Sequence, residues 1–298
     1  MQNKIDINNI RIQPIVAGWL SKNITLHVAR LDELHPVVSG NKWFKLKYYL
    51  AAAQQAGYNT IATFGGAYSN HIVAAAFAAQ SCGLNSIGII RGERPAAPSL
   101  TLRHAAECGM QLHFVTREQF KNKQLIQQQH TDAYWVNEGG YGPLGAKGAA
   151  EILSCVPNLE NYNHIVCAVG TGTMLAGLVN SALAHQKVTG ISVLKNNFSI
   201  IEEVAALLND KTFINRFTIQ HDYHFGGYAK HPPQLIEFMQ QIWNTNALPT
   251  DIVYTAKTLF AIQQMALSNT ITPGSRVLMV HSGGLQGNSS LQKGVLPF

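Results

Sequence analysis

Lys42 is the first side chain whose setting suits chemistry. It closes the run Ser39-Gly40-Asn41-Lys42, just ahead of a helix that the pattern starts near Phe44. A lysine at a loop–helix junction can be buried, and burial lowers the pKa of its ammonium. A neutral amine there can form a Schiff base with an aldehyde cofactor and later carry a proton. Taken alone, Lys42 with Lys45 and Lys47 reads more readily as a solvated basic face. Gly65-Gly66-Ala67-Tyr68-Ser69-Asn70-His71 is the second candidate, a glycine turn feeding a helix start. Such a start presents free backbone N–H groups to a carboxylate or phosphate. Ser69 adds a hydroxyl and Asn70 an amide, although an ordinary helix cap would look the same. Gly170-Thr171-Gly172-Thr173 is the third, with backbone amides, two hydroxyls and a helix dipole suited to cradling phosphate. Met174, Leu175 and Ala176 precede Gly177, so GxGxxG is not met, and no P-loop lysine follows. The fourth, His281-Ser282-Gly283-Gly284, follows an apolar run and so falls at the carboxyl edge of a strand, where open α/β sheets bind ligands.

The elements that must position these residues follow from hydrophobic pattern. Strands are expected at 59–64, 85–90 and 111–115, separated by helices at 69–79 and 100–108. A second series has strands at 164–169, 187–194 and 276–280, with a helix over 174–184. Strands alternating with helices call for parallel sheets covered by helices. The glycine-rich stretch 138–145 reads as a crossing between two lobes. The resulting expectation is a two-lobed α/β chain: a larger lobe of 1–47 plus 148–298, and a smaller inserted lobe of 48–147.

Composition excludes several classes. Of 298 residues, 46% are hydrophobic and only 13% charged, which argues against disorder through excess charge. The longest apolar run, 72–79, is far below the roughly 18 residues of a spanning helix. The first residues have neither an apolar core nor a small-residue cleavage site, so no leader is expected and the cytoplasm is the default setting. The net charge of +6 is scattered rather than run together, which argues against nucleic acid and for small anionic ligands. Cys82, Cys108, Cys155 and Cys167 lack CxxC spacing, and His221 and His224 lack a third ligand, so no metal is expected. No GxSxG elbow anchors a hydrolase triad. A lysine, a helix-start serine and a phosphate turn together fit a phosphate-bearing aldehyde cofactor.

Six motifs in order carry a family resemblance. They are Ser39-Gly-Asn-Lys42, Gly-Ala-Tyr-Ser69-Asn70-His71, Pro143-Leu-Gly-Ala-Lys-Gly148, Gly170-Thr-Gly-Thr173, Asp251-Ile-Val-Tyr254-Thr255-Ala-Lys257 and His281-Ser-Gly-Gly284. From about residue 28 onward the chain resembles the 1-aminocyclopropane-1-carboxylate deaminase/D-cysteine desulfhydrase family, pyridoxal-phosphate enzymes of tryptophan synthase β-like fold type II. The resemblance implies that Lys42 carries the cofactor and that Asn70 bonds its ring hydroxyl. It implies that Gly170, Thr171, Gly172 and Thr173 hold the phosphate with Lys45 nearby. Ser69, Asn70 and His71 would receive the substrate carboxylate, and Tyr254 and Tyr228 would be the active-site tyrosines. Thr255 would face the pyridine nitrogen, with Ser282 beside it. The chain departs from the family's usual Gly-Asn-Lys-Thr-Arg-Lys in having Trp43 and Phe44 before Lys45. His71, Thr255 and Ser282 stand where ring-opening members have Gln, Glu and Leu.

What the resemblance implies about activity is a pyridoxal-phosphate lyase or deaminase on a small amino acid. β-Elimination from D-cysteine to pyruvate, ammonia and sulfide is the simplest form, because an uncharged Thr255 makes a weaker electron sink. Ring opening of 1-aminocyclopropane-1-carboxylate to 2-oxobutanoate, and cofactor binding without turnover, are the alternatives. A cytoplasmic homodimer with no nucleic-acid or membrane partner is the implied setting.

Overall fold

The computed structural model describes residues 7, 10–20 and 23–298. Residues 1–6, on which the absence of a leader and part of the larger lobe were read, lie outside the described residues. The described residues form two sheets. The first runs β1 (Ile12–Pro14), β2 (Thr25–Arg30), β10 (Arg276–His281), β7 (His164–Val169), β8 (Lys187–Ser192), β9 (Phe217–Gln220) in spatial order. Only β1 is antiparallel to its neighbour. The second runs β5 (Met110–Val115), β4 (Asn85–Arg91), β3 (Thr60–Gly66), β6 (Tyr134–Val136), all parallel.

Parallel strands covered on both faces read as continuous apolar runs, and β3 and β7 are buried almost throughout. Successive side chains serve opposite faces: Ile61 and Ile90 join the core under α1 (Lys42–Gln55) and α2 (Asn70–Ser81), while Ala62 and Ile89 join Phe64 and Phe120 behind. In the larger sheet, Ile165 and Leu278 pack towards α6 (Pro143–Ser154) and α7 (Thr173–Ser181). Val166 and Met279 pack towards α9 (Pro233–Asn246) and α10 (Thr255–Leu267) with Ile262.

Glycine brings the helices into close contact. A Cβ on Gly148 would lie 1.7 Å from the Phe44 carbonyl oxygen, and one on Gly177 would lie 2.7 Å from that of Ala146. These positions let α6 sit against both α1 and α7. The lobe limits expected at 47/48 and 147/148 fall inside α1 and α6. The chain therefore passes between its two sheets along packed helices.

Several element ends move from their expected places for local reasons. Helix α1 begins at Lys42 rather than near Phe44, because Asn41 already has helical dihedrals and its carbonyl accepts from the Lys45 N–H. Strand β3 continues to Gly66 because its ladder with β4 runs to the Gly66–Arg91 pair. Helix α7 stops at Ser181, where Ala182 turns extended, and Arg216 then takes the carbonyls of Ala182 and Leu183. The 138–145 stretch divides into a 3-10 turn over Glu138–Gly140 and the start of α6, with Pro143 in the first helical turn.

Candidate active site

The carboxyl ends of β3, β7 and β10 release the three glycine turns, and side chains tie the turns together. The Asn41 amide N–H2 lies 3.1 Å from the Met174 sulfur, which joins the start of α1 to the first turn of α7. The Asn41 backbone N–H donates to the Ser282 carbonyl at 3.2 Å. Gly40 packs so tightly there that a Cβ would sit 1.8 Å from the Ser282 oxygen. Its φ of +69° also favours glycine. Asn70 donates from Nδ2 to the Gly284 carbonyl at 3.4 Å, drawing the start of α2 to the end of β10. Lys42, Asn70, Gly170–Thr173 and Ser282, far apart in sequence, thus share one region.

Burial tunes the amines. Lys42 is lowered from 10.5 to about 8 by loss of water, against the pull of Asp251. Lys45 is driven well below its ordinary value by burial and by the Lys42 charge. Its single hydrogen bond, to the Gly139 carbonyl, is 3.4 Å long, and no ion pair holds it among the described residues. Gly139 in turn packs on Thr171, since a Cβ there would lie 2.8 Å from the threonine Cγ2. A buried amine this poorly matched, beside the 170–173 turn, would be held charged by an anion bound there.

Gly172 has φ +75° and serves as the cap of α7, which leaves the first helical N–H groups free. A Cβ on it would meet the Val204 Cγ2 at 2.7 Å. The Thr171 and Thr173 hydroxyls lie 3.0 Å apart at the same turn. Ser69 occupies the cap position of α2, yet its side chain makes no capping bond. Its hydroxyl and the first amides of α2 are therefore free to take a carboxylate.

The imidazole of His71 has a fixed tautomer. The Thr63 hydroxyl donates to the Val136 carbonyl, so it must accept from His71 Nε2–H, at 2.8 Å. Nδ1 then carries a lone pair with no partner. Burial and the charges of Lys42 and Lys45 hold this ring well below the usual histidine pKa. His71 is thus a neutral acceptor.

Asp251 stands in the sequence only as part of a motif, and its role emerges from the turn that follows it. Its Oδ2 accepts from the N–H groups of Val253 and Tyr254, both at 2.9 Å. Its Oδ1 accepts from the Thr255 N–H at 2.8 Å and the Thr255 hydroxyl at 2.7 Å. Burial pushes this carboxyl upward, but four donors leave no lone pair for a proton, and the geometry holds it ionised. The available signal was an Asp four residues ahead of a helix start, placed to accept the N–H groups of the turn that leads into it.

Thr255 is bound to Asp251 in both directions. Its hydroxyl donates to Asp251 and accepts from the Asp251 N–H, so its proton is already committed within its own turn. Ser282 likewise contributes its carbonyl to Asn41. Tyr254 stands against the 170–173 turn, 3.5 Å from where a Gly170 Cβ would be. Tyr228 faces it with ring centroids 6.4 Å apart. Burial raises both phenols, Tyr254 far above its ordinary value with Tyr228 adding to the effect.

Four buried polar atoms without partners gather here: Ser39 Oγ, Asn41 Oδ1, Asn70 Oδ1 and His71 Nδ1. Orphaned groups of this kind mark a ligand site. A buried amine near neutrality at Lys42, a second, unmatched amine at Lys45 and a glycine cradle suit a phosphorylated aldehyde. The family of enzymes described as pyridoxal-phosphate dependent matches residues 19–283. The chain belongs to that family. It is 30% identical over 288 residues to a putative 1-aminocyclopropane-1-carboxylate deaminase of Thermotoga maritima, covering 88% of this chain and 89% of that one. It is 27% identical to a bifunctional D-cysteine desulfhydrase/1-aminocyclopropane-1-carboxylate deaminase of Arabidopsis thaliana, covering 90% of this chain and 74% of that one. A solved structure described as an ACC deaminase homologue superposes with a TM-score of 0.82 at 21% identity, covering 96% of this chain and 93% of that one. The fold is that of fold type II pyridoxal-phosphate enzymes, and this enzyme uses that cofactor.

Within the site, Lys42, Lys45, Asn70 and the 170–173 turn fit the cofactor's aldehyde, phosphate and ring substituents. Among the described residues no group of three or more side chains could hold a metal, and no helix is long and apolar enough to cross a membrane.

Proposed function

We propose that this enzyme eliminates the β-substituent of a small D-amino acid, most simply D-cysteine, to give pyruvate, ammonia and sulfide. The observation that carries the reading is how the site distributes protons. Lys42 titrates at about 8, so an appreciable share is free amine near neutral pH and can take an α-proton. The two tyrosines stay protonated, because burial raises them further. Ring opening of 1-aminocyclopropane-1-carboxylate has no α-proton to offer Lys42 and needs a nucleophile or strong acid. Phenols held above their ordinary value serve poorly as either. The departing sulfur leaves as hydrosulfide, a stable anion near neutral pH, and needs little help.

Pyridoxal phosphate, when bound, supplies an aldehyde that condenses with amines and a ring that delocalises charge from the substrate's α-carbon. The protein does the rest. The start of α2 receives the substrate carboxylate through Ser69, Asn70 and free amides. Lys42 holds and moves the α-proton, and the Tyr228 and Tyr254 hydroxyls orient the substrate as donors. The neutral His71 offers an acceptor. Ring opening is the second reading, favoured by the name of the Arabidopsis relative, which joins both activities.

The test pairs two substrates and one variant. Pyruvate and sulfide should form from D-cysteine at least tenfold faster than 2-oxobutanoate forms from the cyclopropane. Lys42→Ala should lose both the covalently bound yellow cofactor and turnover. Faster release of 2-oxobutanoate would overturn the reading. The same proposal carries a cytoplasmic homodimer, whose mass light scattering would read directly.

A further inference from the structure

Lys257 is fully buried on α10 with no carboxylate in ion-pair contact among the described residues. Burying an ammonium is costly, and an apolar side chain of the same length would fill the space without that cost. The ammonium is spent on two backbone carbonyls, donating to His224 at 2.9 Å and to Gly227 at 2.7 Å.

Those carbonyls belong to a loop with unusual backbone. Phe225 (φ +54°), Gly226 (+92°), Gly227 (+124°) and Ala229 (+55°) all lie at positive φ. Two of them are not glycine, and such residues persist only where surroundings over-determine them. Within the loop, the Gly226 N–H donates to His224 Nδ1 and the Gly227 N–H to the His224 carbonyl. These local bonds close the turn without joining it to the body of the enzyme. Tyr228 sits between Gly227 and Ala229, is 49% exposed, and depends on the loop for its position.

Tyr254 immediately precedes α10, and Lys257 follows it by one helical turn on the same side. One rigid helix start therefore places Tyr254 directly and grips the Tyr228 loop through Lys257. We propose that Lys257 is a positioning residue that clamps residues 224–227 so that Tyr228 faces Tyr254 across the substrate. The inference rests on the proposed role of Tyr228, but its clamp can be read without any substrate.

The experiment uses the cofactor-loaded enzyme and the variants Lys257→Met, Tyr228→Phe and the pair together. Ultraviolet titration of wild type against Tyr228→Phe isolates the ionisation of Tyr228. In Lys257→Met that step should move down towards an ordinary tyrosine, about 10, while the yellow cofactor remains bound. Turnover should fall about tenfold in kcat, with KM changed less than threefold. The double variant should be no worse than Tyr228→Phe alone, because a clamp acting through one phenol has nothing left to position. An unmoved Tyr228 titration in Lys257→Met overturns the clamp. Losses that multiply in the double variant also overturn it, and reveal a merely structural lysine. Should Lys257→Met fail to fold, Lys257→Gln keeps one donor group and is read by the same titration and the same cycle. Failure of the D-cysteine assay alone would leave the titration intact, so the two proposals fail separately.

Discussion

Replacing Lys42 by methionine in cofactor-free protein should change how stability depends on pH. In the folded chain, burial lowers the Lys42 ammonium from 10.5 to about 8, while the unfolded chain keeps the ordinary value. Between those two values the unfolded state binds the additional proton, so the Lys42 contribution makes the fold more stable as pH rises. Below about 8 both states are charged and the contribution is flat. Methionine cannot titrate, so the difference between wild type and Lys42→Met reads this group with its coupling to Lys45 and His71, while cysteines and tyrosines common to both cancel. From the two pKa values, that difference should move by about 2 kcal/mol in favour of wild type between about pH 7 and about pH 9.5. Urea unfolding followed by tryptophan fluorescence at half-unit pH steps would measure it. A difference that stays constant over the range, or moves the other way, would mean that Lys42 is not a buried amine near neutrality. The argument for α-proton abstraction would then go with it.

Two further outcomes follow from glycine and threonine contacts. Gly172→Val forces a left-handed φ of +75° on a branched residue and drives its Cβ to 2.7 Å from Val204 Cγ2; the backbone alone costs about 1–2 kcal/mol. Cofactor affinity, read by spectrophotometric titration, should fall at least tenfold, and unchanged affinity would move the phosphate elsewhere. Thr255→Val keeps the shape but strips Asp251 of one donor and its N–H of an acceptor. The loss should be about 2–3 kcal/mol in urea unfolding, because one bond is to a charged group. A variant as stable as wild type would show that the Asp251 turn does not depend on that hydroxyl.

Much of this enzyme is legible along the chain because its signals are local. Apolar runs bounded by glycine mark β3, β4, β5, β7 and β10, and strand–helix alternation determines their parallel sheets. Glycine turns at 65–66, 170–173 and 283–284 reveal where backbone can approach a ligand, and Lys42 follows its own turn. The short strands β1, β6 and β9 carry too few residues for a period to show, and tertiary pairing alone makes them strands. The helical start at Lys42 needed the Asn41 carbonyl bond, and the passage between lobes needed the contacts of α1 with α6. What only the tertiary structure decided is electrostatic and geometric. A pKa near 8 at Lys42 requires its surroundings to exclude water, and the His71 tautomer requires Thr63 and Val136 from two other strands. Asp251 looks like any loop carboxylate until four donors close on it, and Thr255 looks free until its hydroxyl is found among them. Residue types specify which groups are available for chemistry. Their protonation and direction depend on neighbours that the folded chain brings into place, from Thr255 beside Asp251 to Asp251 near Lys42.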